Sequence, residues 1–391
     1  MEIVFIVNDI LGGVAYLNFD IINNLSLSEK PKIRVILTVN THQKISRFRD
    51  TINADVIQRF EYSPFENAYH LHKRLAKLIG NAPGAIICND GLELTTIWCE
   101  GTNKTVFNIV HDDYNFQLSK KFHPCIDVHL CHSRYFDEKV KTEIGGKSVF
   151  YRHGVIINKR EQLSTITDRP KLCFIGRLVE SKGVLMLKGI NDELVKKNIK
   201  PIWKVIGSGP LREKLLRDWE YNDNITFHAP EKKEDVVRMI QGSDFFVFPS
   251  TFEGFGIALI EAASMGVIPI VRYIQGGFHE VSETLEAEII YEESNIEMIY
   301  ANKIIKYTES KDKGLEKKYT LSHRASTMYD IKKTANEFFE ILLENQIKHK
   351  TEIVFKPKSN FRLDKKYLPN NVVKHIRKNL SYFKTVFKIK S

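Results

Sequence analysis

At 391 residues, with 43% apolar and 27% charged residues, the chain is longer than one ordinary core requires and reads as a folded protein of two domains plus an appendage. Five cysteines without a Cys-x-x-Cys pair exclude a disulfide or zinc framework as the organising device, and no apolar run approaches the roughly 20 residues that span a bilayer. The net charge of +10 belongs to one segment: residues 348–391 hold 13 Lys or Arg against two acids, Glu352 and Asp364, which leaves the remainder close to neutral.

Met1 to Asp9 carry an acid at position 2 and stop being apolar after Val7, so a secretory leader is not expected and a cytoplasmic setting is. Short runs rich in Val, Ile and Phe then alternate with amphipathic or capped segments, the pattern of parallel strands covered on both faces by helices. Strands are expected near 2–8, 33–39, 85–89, 105–110 and 126–131, and a second series near 171–176, 202–207, 224–228, 244–248 and 267–271. This is an α/β chain with two doubly wound sheets. The polar stretch from Asn158 to Arg169, ending before Pro170, is the expected linker. The division that follows is an N-terminal domain over 1–165, a C-terminal domain over 166–325, one long helix over 326–347 and a basic amphipathic tail over 348–391.

Two segments carry chemistry. Gly176-Arg177-Leu178-Val179-Glu180-Ser181-Lys182-Gly183 follows a predicted strand and precedes a helix, and its two cations beside a glycine form a socket suited to a diphosphate at the carboxyl edge of a sheet. Read alone, the same residues also fit a solvated loop. Pro249 to Ala262 likewise follows an apolar strand, and its glycines let the backbone approach a ligand where a helix begins. Glu253 falls in that loop. Glu261 falls in an apolar helix, where a carboxylate needs hydrogen-bond donors, either ribose hydroxyls or groups of the protein itself.

With these motifs the chain resembles the family four glycosyltransferases of the GT-B fold. The resemblance rests on Gly-Arg-x4-Lys-Gly at 176–183 and the Glu, seven residues, Glu spacing of Glu253 and Glu261. Fainter matches are Gly12-Gly13, His111 in Val-His-Asp, His153-Gly154-Val155, Gly207-Ser208-Gly209-Pro210, and Gly276-Gly277 with Glu280. It implies two Rossmann-like domains facing each other across a cleft and transfer of a sugar from a nucleotide diphosphate donor with retention of configuration. It further implies that Arg177 and Lys182 hold the departing diphosphate, that Glu261 binds the ribose, and that Glu253 grips the donor with the backbone N–H groups of Phe255, Gly256 and Ile257. By the same resemblance Gly12 and Gly13 form the opposite wall, Gly209 lies in the donor site, and His111 meets the transferring sugar. The residues themselves leave His111 open as a structural histidine, and Asp112 and Asp113 as acceptor ligands. No metal or other cofactor is expected, because the two cations take the place of a divalent ion.

In the tail, Val372, Val373, Ile376, Leu380, Phe383 and Phe387 share one helical face, the pattern of a helix lying on an anionic membrane surface. A lipid-linked acceptor at the inner face of the plasma membrane is therefore expected, and the family resemblance implies a saccharide acceptor and work in polysaccharide or lipopolysaccharide assembly. Packing of the tail on the N-terminal domain is the competing reading, and nucleic acid is not expected as a partner. The activity also has two alternatives, a nucleotide-sugar epimerase of the same shape and a non-catalytic sugar-nucleotide-binding scaffold.

Overall fold

The computed structural model describes residues 1–9, 13–42, 52–158, 160, 162–230, 233–347 and 363–386. Two compact units divide the chain: unit 1 comprises Met1–His132, Phe136–Tyr151 and Ala335–Ser391, and unit 2 comprises Ser133–Tyr135 and Arg152–Thr334.

Unit 1 is built on strands β1 (Glu2–Asn8), β2 (Lys32–Asn40), β3 (Val56–Tyr62), β4 (Ala85–Cys88), β5 (Thr105–Val110), β6 (Val128–Cys131) and β7 (Ser148–Phe150). Between them run helices α1 (Gly13–Asn23), α2 (Ala68–Ile79), α3 (Gly91–Glu100), α4 (Asp113–Phe122) and α5 (Arg134–Glu143). The sheet order is β3-β2-β1-β4-β5-β6-β7, every pairing parallel. Its central strands β4, β5 and β6 are buried along their whole length, which is why they read as unbroken apolar runs. The strand order reverses between β1 and β4, the point where open α/β sheets leave a crevice beyond the carboxyl ends of their strands.

Unit 2 repeats the design with β8 (Lys171–Ile175), β9 (Ile202–Ile206), β10 (Ile225–His228), β11 (Phe245–Phe248), β12 (Ile268–Arg272) and β13 (Glu288–Ile290). Its helices are α6 (Met186–Lys196), α7 (Arg212–Asp218), α8 (Lys233–Gln241), α9 (Ile257–Ser264), α10 (Gly277–Thr284), α11 (Ile296–Glu309) and α12 (Lys311–Met328). The order β10-β9-β8-β11-β12-β13 is parallel throughout, and its reversal falls between β8 and β11. A buried ion pair, Lys318 Nζ to Asp244 Oδ1 at 2.6 Å, ties α12 to the start of β11. Asp244 Oδ2 accepts from the Lys171 N–H at the start of β8, so the carboxylate is satisfied on both oxygens. The expected linker is not a free tether, since Leu163 and Ile166 are buried and Ile166 belongs to the core of unit 2.

The expectation of one helix over 326–347 is corrected. Helix α12 ends at Met328, Tyr329 and Asp330 leave helical geometry, and α13 (Ile331–Glu344) begins afresh. Val155 causes the break by competing for the backbone: its N–H donates to the Tyr329 carbonyl and its carbonyl accepts from Ile331 N–H, at 2.8 and 3.0 Å. Beyond the break, Phe338 and Phe339 of α13 pack against Phe5 of β1.

The chain then returns to unit 1 as α14 (Asn370–Val386). Asn370 Oδ1 and Asp364 Oδ1 accept from the N–H groups of Asn67 and Ala68 at the start of α2, and Asn67 Nδ2 donates to the carbonyls of Lys365 and Leu368. Arg377 links Asp364 to the Glu66 carbonyl, and Val373 is fully buried. Burying one valine contributes about 1.5–3 kcal/mol, enough with the hydrogen bonds to hold the arm in place. Part of the apolar face expected to meet a membrane is thus spent on the protein, while Val372 and Leu380 stay exposed.

Candidate functional site

The two switch points gather the polar residues that sequence reading singled out. In unit 2 the loop after β8 and the loop after β9 are stitched together: Gly176 N–H donates to the Ile206 carbonyl, Leu178 N–H to the Ser208 carbonyl, and Leu211 N–H to the Leu178 carbonyl. The approach is so close that a Cβ at Gly207 would land on the Gly176 carbonyl oxygen, and one at Gly209 would lie 2.5 Å from the Leu178 oxygen. Gly209 is thereby a packing glycine for the Arg177 loop.

The loop after β11 closes on the same place. Ser181 O accepts from Thr251 N–H at 2.9 Å and from the hydroxyls of Ser250 and Thr251. Gly183 ends the turn Glu180–Lys182 in left-handed geometry at φ 67°, against the Pro249 carbonyl. These constraints deliver Lys182 to Glu253: its Nζ lies 2.5 Å from Glu253 Oε1 and 3.1 Å from the Phe252 carbonyl, with both side chains mostly buried. Arg177, on the same loop, is exposed, and among the described residues no hydrogen bond or ion pair engages its guanidinium.

Helix α9 opens beside this pair. Gly256 supplies its N-cap at φ 91° with no side-chain cap, so no capping oxygen offsets the positive end of the helix dipole there. A side chain at Gly256 would strike the Phe278 ring. Phe255 is itself buried against His153 and Tyr329, so only its backbone is available to a ligand. Glu261, one turn into α9, is 7% exposed and is held by partners within the protein. The whole is a cationic, glycine-lined edge with an uncapped helix start, an arrangement that accepts phosphate oxygens.

In unit 1 the corresponding point joins the ends of β1, β4 and β5. His111 is 5% exposed, and its Nε2 lies 2.9 Å from Asn89 Oδ1. Burial, and then the neighbouring His132 ring at 5.8 Å, hold the imidazole well below its usual titration range, so it is neutral. Asp112 caps α4 through Asn115 N–H, and Asp113 pairs with Lys139. Gly13 is exposed at the start of α1, and Gly12 lies outside the described residues.

Asn89, Asn18, Asn115 and Glu93 make a buried polar network that sequence reading missed. The available signal was the Cys-Asn-Asp sequence at the end of an apolar strand, where a run of polar residues begins abruptly. Glu93 Oε1 accepts from the N–H groups of Asn89 and Asp90, both at 2.6 Å. Burial, and then the Asp90 charge, push this carboxyl up to about 8 against the pull of those backbone donors. Between 4.5, its ordinary value, and about 8 the unfolded chain has released a proton that the folded chain keeps, so stability falls as pH rises through that window. Glu93→Gln retains an acceptor oxygen and removes the titration. Thermal unfolding across that window is expected to show a flatter pH profile for the variant, and parallel profiles would refute the assignment.

Among the described residues no group of three or more His, Cys, Asp or Glu side chains is gathered as metal ligands, and no helix is long and apolar enough to cross a membrane.

Residues 155–324 match the family described as Glycosyl transferases group 1. The match covers less than half of the chain. The matched span contains every candidate site residue of unit 2. Similar relatives include the glycogen synthase of Desulfitobacterium hafniense, 36% identical over 120 residues, covering 30% of this chain and 26% of that protein. The glycogen synthase of Bacillus cytotoxicus is 28% identical over 124 residues, covering 31% and 25%. The chain thus spans about a quarter of the length of these curated relatives. Among solved structures, Anabaena Alr3699/HepE in complex with UDP aligns with TM-score 0.68 at 15% identity over 88% of this chain and 100% of that one. The pneumococcal O-GlcNAc transferase GtfA in complex with UDP and GlcNAc aligns with TM-score 0.58 at 16% identity, covering 70% and 59%. At such identities the likeness carries the fold, which is GT-B: two Rossmann-like parallel-sheet domains, the second of them holding most of the matched span.

Proposed function

We propose that this protein is a glycosyltransferase that moves a sugar from a nucleoside diphosphate donor to a saccharide or lipid-linked acceptor. The observation that carries the reading is the pairing of Lys182 with Glu253 in the loop that leads into α9, with Arg177 on the loop of Lys182 and no partner for its guanidinium among the described residues. When the bond from the anomeric carbon to the phosphate oxygen breaks, its electron pair leaves with the diphosphate. Cations already in place there lower the barrier, because they need no reorganisation as the charge appears.

Within this reading Arg177 and Lys182 bind the diphosphate, the N–H groups at the start of α9 take further phosphate oxygens, and Glu253, displaced from Lys182, accepts from hydroxyls of the donor sugar. Glu261 receives the ribose hydroxyls, and His111 meets the transferring sugar. The acceptor oxygen forms its bond to the anomeric carbon on the face the phosphate leaves, with retention, and its proton passes to the departing phosphate oxygen. No divalent ion takes part. A thermal-shift screen of UDP, GDP, ADP and CMP sugars with EDTA present is expected to yield one selective stabiliser, which names the donor base. No stabilisation by any of them, or stabilisation that EDTA abolishes, would count against the reading.

The tail belongs to the same proposal. The basic composition of the tail, the exposed Lys366 and Lys378, and the outward Val372 and Leu380 support attachment to an anionic leaflet and a setting in surface polysaccharide or lipopolysaccharide assembly. Removing residues 348–391 is expected to abolish sedimentation with anionic liposomes. Equal sedimentation of the full and shortened chains would sink the membrane part alone.

A further inference from the structure

We propose that Asn89 is a positioning residue that locks the His111 ring as the Nε2–H tautomer, leaving Nδ1 as a fixed hydrogen-bond acceptor for a hydroxyl of a bound sugar. What the ring meets rests on the function proposed above; the tautomer does not.

The argument is one of exhausted donors and acceptors. Asn89 follows β4 at the switch point of unit 1, and every polar group it owns is committed. Its N–H donates to Glu93 Oε1 at 2.6 Å, and its carbonyl accepts from Asn115 Nδ2 at 2.8 Å. Its side-chain Nδ2 donates to the Ile6 carbonyl at 3.0 Å. A carbonyl can only accept, so this bond fixes which end of the amide is nitrogen, and Oδ1 must be the end that faces His111. Asn18 supports the same orientation. Its Nδ2 is committed to the Val14 carbonyl at 2.8 Å and also donates to Asn89 Oδ1 at 3.0 Å. An oxygen opposite His111 Nε2 at 2.9 Å requires that nitrogen to carry the proton.

The ring is neutral, so Nδ1 then bears only a lone pair. That atom is buried and has no partner among the described residues. A buried acceptor left unmade costs about 1–3 kcal/mol, which a ligand hydroxyl placed there would recover. A lone pair repels phosphate oxygens and attracts O–H groups, so this tautomer turns the ring toward sugar and away from diphosphate. The opposite tautomer would present an N–H and reverse that preference. Asn89 therefore sets the chemical choice of His111 without touching the sugar.

The test uses the full chain with ring-15N histidine, read by long-range proton–nitrogen correlation at neutral pH, the His111 signals being identified by their loss in His111→Gln. The wild type is expected to show His111 neutral with Nε2 protonated and Nδ1 bare. Asn89→Asp keeps an acceptor oxygen but adds a charge, so both His111 nitrogens are expected to become protonated and transfer to fall at least tenfold. A wild-type ring in the Nδ1–H form, an imidazolium in the wild type, or ring signals unmoved by Asn89→Asp would each overturn the proposal. Should Asn89→Asp fail to fold, the wild-type spectrum decides alone. Should the spectrum be as expected while His111→Gln keeps full turnover, the lock stands and the sugar contact proposed for His111 falls.

Discussion

Lys182→Ala is expected to lower kcat/KM for sugar transfer by about two to three orders of magnitude, with most of the loss in kcat, because the ammonium is used chiefly when charge gathers on the leaving group. Arg177→Ala is expected to lose a comparable amount. The double variant should lose less than the two single losses combined, since both cations serve one diphosphate. Lys182→Arg is a poor substitute: the Gly183 turn and the Phe252 carbonyl fix the position of a compact point charge, and a planar fork does not fit it. Steady-state kinetics on the four proteins, with circular dichroism to confirm folding, decide the matter. Turnover of the double variant at the wild-type rate would remove the electrostatic basis of the proposed reaction.

Gly207→Ala is expected to destabilise unit 2 by about 3 kcal/mol, a fall in Tm of roughly 10 °C, and to abolish donor binding. A single methyl group there occupies the space of the Gly176 carbonyl. Relief requires the loops after β8 and β9 to part, which breaks the bond from Leu178 N–H to Ser208 O and releases the segment that carries Arg177. The neighbouring Ser208 is exposed, so Ser208→Ala serves as a control and should change stability by no more than about 0.5 kcal/mol. Equal melting of the two variants would show that the loops are less tightly joined than their geometry indicates.

The parts of this architecture that were legible in sequence are those whose physics is local. All five strands expected in each half are present; the central ones are apolar runs because both of their faces are buried, and the edge strand β10 is marked by Ile225 and Phe227. The strands β3, β7 and β13 escaped notice for the converse reason. They lie at sheet edges, partly exposed, and β3 alternates Gln58, Arg59 and Glu61 with its apolar residues. The Lys182 loop announced itself through residue types at fixed spacing, as did Glu253 and Glu261. Asn89 did not, since its meaning depends on Ile6, Asn18, Asn115 and His111, which only the fold assembles. The end of α12 was hidden likewise: Tyr329 and Asp330 are tolerable within a helix, and it is Val155, far off in sequence, that draws their backbone away.

The arm that closes the N-terminus of α2 has a consequence for how the protein is made. Asn67 and Asn370 are 303 positions apart, so the bond between them cannot form on the ribosome until Asn370 has emerged. Unit 2 is almost uninterrupted in the chain and can mature early, whereas unit 1 takes up the segment from Ala335 onward only after unit 2 has been translated. A chain cut short before Asp364 would accordingly keep all of unit 2 while leaving the start of α2 without the acceptors supplied by Asp364 and Asn370.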